Sequence, residues 1–96
     1  MKFYFHPKAE EELLYAVDYY EECSPGLGTD FSFEVYAAVK QIIAHPEAWM
    51  VLDGDIRRIL LKRFPYGLLY SLIDDEIYIL AVMHLRRDPD YWRQRQ

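Results

Sequence analysis

The spacing of apolar residues changes character once along this chain, and that change limits the folds open to it. In the first half the repeat is helical. Ala9, Leu13, Ala16, Val17 and Tyr20 recur at helical spacing and predict a first helix over residues 7–22. Pro7 suits the first helical position, and Glu10, Glu11 and Glu12 suit the positive end of the helix dipole. The segment CSPGLGT, with Pro25, Gly26 and Gly28, breaks that helix. Phe31, Val35, Ala38, Val39 and Ile42 form a second stripe, which His45-Pro46 closes because a residue before proline avoids the α region. A link this short predicts an antiparallel helical hairpin.

Beyond a loop holding Trp49 and LDGD, the residues alternate instead. IRRILLKRF, GLLYSLI and EIYILAVMHL read as three strands, and Asp74-Asp75 is a tight connection between the last two. The opening KFYFH favours a short strand of its own. GLLYSLI is apolar on both faces, so both faces must be covered. The fold expected is α+β, in the order β-α-α-β-β-β. A two-helix hairpin packs on one face of a mainly antiparallel four-stranded sheet, and the other face awaits a cover.

A chain of 96 residues suits a single domain over residues 1–96. Its apolar content of 52% and aromatic content of 17% exclude disorder. No apolar run nears the roughly 20 residues a bilayer span needs, and the N-terminus lacks a signal peptide's apolar region. No membrane association and a cytoplasmic location are therefore expected. Cys23 stands alone in a turn-like segment and reads as an ordinary free thiol.

The net charge of −5 hides a division. Residues 8–55 carry eleven acids and two lysines, whereas Arg57, Arg58, Lys62 and Arg63 crowd one strand and four arginines lie between residues 86 and 95. Such asymmetry bears on partners. Arg57 and Arg63 bracket Ile59 and Leu61 at the rim of a sheet face, where arginine can grip phosphate or a partner's carboxylates. Arg58 and Lys62 point to the opposite side. They fit an edge-strand charge and a binding role equally well.

His84, Arg86, Arg87 and Tyr91 gather where the last strand ends. If that strand continues to Arg86, His84 and Arg86 share a face. An imidazole can move protons, arginine can stabilise charge building on phosphate oxygens, and a tyrosine can donate a proton or stack a base. Together they suit cleavage of RNA by 2′-hydroxyl attack. The plainer reading makes His84 a partly buried strand residue and Trp92 a core residue. His6, His45 and His84 lack metal-ligand spacing, and GLG lacks the lysine of a phosphate loop, so neither metal nor cofactor is expected. Glu10, Glu11, Glu12, Glu21 and Glu22 read as a solvated helix face.

The segments YAVDYYEECSPGLGTDFSFEV and IRRILLKRFPYGLLYSLIDDEIYILAVMHLRRDPDYW, in this order of elements, resemble the RelE/ParE superfamily of bacterial type II toxin–antitoxin toxins. The resemblance runs from Phe3 to about Arg93 and implies the helix-hairpin-on-sheet fold. RelE-like members cleave mRNA in the ribosomal A site without a metal. Carried over by position, that implies Arg57, Arg63, Arg86 or Arg87, and Tyr91, with His84 added. ParE-like members inhibit DNA gyrase. RFPY and RRDPDYW resemble the ParE-like, plasmid-stabilisation branch more closely, and a pI of about 5.1 suits RNA docking poorly.

The expectation is a toxin that arrests growth by binding a macromolecular target, gyrase first. A ribosome-dependent mRNA endonuclease is the alternative, and a non-toxic binding module the second alternative. The resemblance also implies a cognate antitoxin. Its C-terminal segment would wrap the toxin, cover the open sheet face and bring carboxylates to Arg57, Arg63 or the Arg86-Arg87 pair.

Overall fold

A computed structural model describes residues 1–95, and Gln96, the last residue of the expected domain, lies outside them. The elements are β1 (Phe3–Phe5), α1 (Pro7–Cys23), α2 (Leu27–Ala44), β2 (Met50–Asp53), β3 (Ile56–Leu60), β4 (Tyr66–Ile73) and β5 (Glu76–His84), then a single 3₁₀ turn at Arg93–Arg95. The class is the expected α+β, with the helical hairpin on a mainly antiparallel sheet.

The sheet has five strands, in the order β1-β5-β4-β3-β2. The extra strand, β2, comes from the segment expected to be a loop. Met50 and Val51 pair with Arg58 and Arg57, and Gly54 at φ +56° turns the chain back. A strand of four residues is too short to show alternation, and its pairing with β3 is what makes it a strand. The β4–β5 turn is the expected Asp74-Asp75, both with positive φ, as two-residue hairpins of this twist require.

α1 begins under a histidine cap, with His6 Nδ1 accepting from the Lys8 amide at 3.0 Å. The two helices meet closely at Gly28, where a Cβ would stand 2.5 Å from the Val17 carbonyl oxygen. Between hairpin and sheet lies the main core, which includes Leu13, Phe31, Ile42, Ile59, Leu68, Tyr70 and Ile79.

The opposite face of the sheet is not left open as expected. Ile56, Leu69, Leu80, Ala81 and Met83 pack there with Trp92, which is 1% exposed. The chain's own tail thus covers much of the face assigned to the antitoxin. What it leaves uncovered lies toward β3 and β2, where Leu60 and Met50 are half exposed. β1 runs parallel to β5 and pairs only with Ile77, Tyr78 and Ile79, so it stops well short of the end of β5. A register shift opposite Leu69 and Tyr70 places Leu80 and Ala81 on the same sheet face and returns Val82 to the helix side.

Candidate functional site

The end of β5 and the tail meet α1 around one carboxylate. Glu12 accepts from the Val82 amide at 3.0 Å and from Arg87 Nη1 at 3.0 Å. Arg95 donates to both of its oxygens, at 2.9 and 3.0 Å, and to the Leu80 carbonyl at 3.1 Å. The Glu12 and Arg95 side chains are 12% and 10% exposed. Glu12 was expected on a solvated face, but here it balances two arginines in a nearly closed setting. The expectation failed because helical spacing tells which side of α1 a residue occupies but not that a tail some 83 positions away returns to it.

Tyr91 lies within this cluster. The Arg87 and Arg95 guanidinium carbons are 3.6 and 4.8 Å from its ring centroid. Its hydroxyl is buried beside Glu12 without completing a hydrogen bond of ordinary geometry. Burial, and then the carboxylate, push its pKa well above the usual tyrosine range, so the phenol keeps its proton.

A cleft of about 680 Å³ opens beside the cluster, lined in part by Lys8, Tyr15, Tyr66, His84 and Arg87. His84 stands edge-on to Tyr66 with ring centroids 5.1 Å apart, and its Nδ1 accepts from the Arg86 amide at 3.1 Å. β5 ends at His84, so Arg86 sits in the following turn rather than on the same strand face. Arg86 is exposed and pairs with no carboxylate among the described residues.

The basic strand goes elsewhere. Arg57 Nη1 donates to the Glu47 and Trp49 carbonyls at 2.9 and 2.8 Å, tying down the chain that leaves α2. Arg58 lays its stem over Gly67, where a Cβ would stand 3.2 Å from it, and its Nε is buried without a partner. Lys62 and Arg63 line a smaller cleft of about 230 Å³ against α2. There both backbone amides donate to Glu34, and the Arg63 guanidinium reaches Asp30 at 3.4 Å. His84, Arg87 and Tyr91 are therefore brought together, with Arg86 adjacent, while Arg57, Arg58, Lys62 and Arg63 are not brought to them. Glu12 and Arg95 are the members that sequence reading missed. The acid excess around Glu12 hid the first, and nothing in the local pattern marks the second.

Among the described residues, no group of three histidine, cysteine, aspartate or glutamate side chains could hold a metal ion. No helix among them is long and apolar enough to cross a membrane.

A helical hairpin over such a sheet, with a cationic and aromatic cluster where the last strand ends, defines a toxin of the RelE/ParE superfamily. Residues 3–89 match the family model described as the ParE toxin of type II toxin–antitoxin system, parDE. The chain belongs to that ParE toxin family. Toxin ParE2 of Mycobacterium tuberculosis, in strains CDC 1551 / Oshkosh and ATCC 25618 / H37Rv, is 33% identical over 86 residues. The match covers 88% of this chain and 82% of that relative. A chain from the solved structure titled "Chromosomal ParDE TA system from P. aeruginosa" superposes with a TM-score of 0.77 at 21% identity, covering 90% of this chain and 97% of that one. That likeness concerns the fold.

Proposed function

We propose that this ParE-family toxin arrests growth in the cytoplasm by binding DNA gyrase, acts as one domain over residues 1–96, and is neutralised by a cognate antitoxin. The observation that carries the choice of target is the hold of Glu12 on Arg87 and Arg95, with Tyr91 between them. A metal-free nuclease needs a proton donor or acceptor tuned near the working pH and cations free to meet developing charge. Here the tyrosine is driven to retain its proton and Arg87 already serves a carboxylate. Such a cluster suits a structural tie beside a binding surface better than a reaction centre. The half-exposed Leu60 and Met50 offer apolar ground for a wrapping antitoxin segment.

One arrangement favours the alternative, a ribosome-dependent mRNA endonuclease. His84, Tyr66, Lys8 and Arg87 line a single cleft together with Glu11 and Glu12, so an imidazole stands among charged side chains of both signs. Pulse-labelling of DNA and protein synthesis after induction without antitoxin separates the two readings. Gyrase binding predicts that DNA synthesis stops first and that the purified chain inhibits supercoiling by gyrase in vitro. Early arrest of translation with mRNA cut in the ribosome would replace it with the nuclease. Unimpaired growth with abundant folded protein would leave only a binding module.

A further inference from the structure

Arg58 does not stand where an edge-strand charge would. Such a charge keeps sheets from pairing, but β2 lies outside β3 and takes the edge. Arg58 therefore sits within the sheet, where a cation needs another account. The register sets its surroundings. Met50, Arg58, Leu69 and Ala81 form one cross-strand row, and Leu60, Gly67 and Met83 form the next. Both rows lie on the face that Trp92 covers in part.

Gly67 lets Arg58 lie down across β4. The Arg58 Cγ and Cδ each come 3.2 Å from the point where a Cβ on Gly67 would stand. The Nε beyond them is buried with no acceptor, and no carboxylate pairs with Arg58 among the described residues. The residue as a whole is only part-buried, so its guanidinium end is what meets solvent. A charged group held this way is partly stripped of water without a compensating bond. Its cross-strand neighbour Met50 and, two residues along β3, Leu60 are both half exposed.

We propose that Arg58, with Met50 and Leu60 as an apolar rim, is the docking point for a carboxylate of a protein partner, an acidic side chain framed by apolar ones. That this partner is the gyrase target rests on the function proposed above.

A guanidinium can grip a carboxylate or a phosphate with two parallel bonds. The surroundings favour the carboxylate. A nucleic-acid backbone calls for several cations in line, whereas the neighbours of Arg58 in both rows are uncharged. Arg57 points to the other face and serves the Glu47 and Trp49 carbonyls. Lys62 and Arg63 lie past the end of β3, beside Glu34 and Asp30. The acids nearest in the chain, Glu47, Asp53 and Asp55, flank β2, Asp53 is tied to Arg93, and none of them pairs with Arg58. One cation within an apolar rim fits one carboxylate within an apolar frame, an arrangement in which a single desolvated contact can carry much of the binding.

The test uses the full chain and purified gyrase. Arg58→Met keeps a stem over Gly67 and removes the guanidinium. It is expected to melt at the same temperature as the unaltered chain or higher, because a stranded donor is gone. It is also expected to bind gyrase at least about tenfold more weakly, with supercoiling inhibition and growth arrest reduced in step. An arginine with a structural role alone would do the reverse, lowering the melting temperature while the folded protein bound as before. Arg58→Lys keeps the stem and the charge but not the forked head, is expected to bind more weakly too, and serves should the methionine variant not fold. Undiminished gyrase binding by either folded variant would overturn the docking point and leave the gyrase reading standing. Loss of antitoxin binding alone, with gyrase binding intact, would assign the surface to the antitoxin and overturn it as well. Growth arrest that depends on Arg58 in a chain that does not bind gyrase would keep the docking point and remove gyrase as the partner. A chain that neither arrests growth nor binds gyrase would overturn both.

Discussion

Arg87 lies with its guanidinium carbon 3.6 Å from the centroid of the Tyr91 ring, and the same arginine is bonded to Glu12 at 3.0 Å. Cation, ring and carboxylate therefore form one unit, and a change to any one is felt by the others. Burial and the nearby carboxylate outweigh the two arginines, so the Tyr91 pKa rises.

That balance has a consequence in alkali. Tyr70 is raised too, pushed up to about 12 by burial, with its hydroxyl donating to the Pro46 carbonyl at 2.6 Å. A raised tyrosine pKa means that the folded chain keeps a proton which the unfolded chain releases above pH about 10. Stability from these groups is complete below that pH and falls as pH climbs through the folded values. Urea unfolding measured from neutrality into that range should show the decline, and Tyr70→Phe should flatten part of it. An equally steep decline in Tyr70→Phe would show that Tyr70 is not a source.

Glu12→Ala should be among the most damaging single changes to the fold. It leaves Arg87 and Arg95 without their carboxylate and the Val82 amide without an acceptor. Removing one partner from a buried ion pair costs about 3–5 kcal/mol. Denaturant unfolding measures this directly, and a loss typical of a surface glutamate would mean that Glu12 is solvated after all.

Arg57 and Arg86 should behave as opposites. Arg57→Ala strips two carbonyl bonds from the chain leaving α2 and should cost about 1.5–3 kcal/mol. Arg86→Ala touches no described ion pair and should change stability by less than about 0.5 kcal/mol. If Arg86 meets the target, growth arrest should weaken in Arg86→Ala at unchanged stability. Full toxicity in that variant would move the contact off this turn.

Gly28→Ala should loosen the helical hairpin. The added methyl would sit 2.5 Å from the Val17 carbonyl oxygen and 2.9 Å from the Glu21 Cβ, so the helices must part. Overpacking of this kind costs about 1–3 kcal/mol. A thermal scan reads the loss, and an unchanged transition would mean that the hairpin has slack there.

Much of this architecture could be read from sequence because it is made by near neighbours. The two helical stripes, the break at CSPGLGT and the Asp74-Asp75 turn each rest on residues a few positions apart, and steric and hydrogen-bond preferences act at that range. The basic strand and the tail were legible as basic, and the plain reading of Trp92 as a core residue matches its burial. Their destinations were not legible. Arg57 and Arg63 looked equivalent along a strand, yet one serves backbone carbonyls after α2 and the other an aspartate on α2.

Local order alone therefore determined the helices, the hairpin turns and the α+β class of this toxin, because those depend on the period of apolar residues and on turn chemistry. Tertiary structure decided the rest. It made β2 a strand by giving it β3 to pair with, flipped the end of β5 through a bulge, and laid the tail across the sheet face. It also joined Glu12 to Arg95. A charge in a sequence carries no address, and only the folded chain sets which carboxylate is desolvated beside which guanidinium.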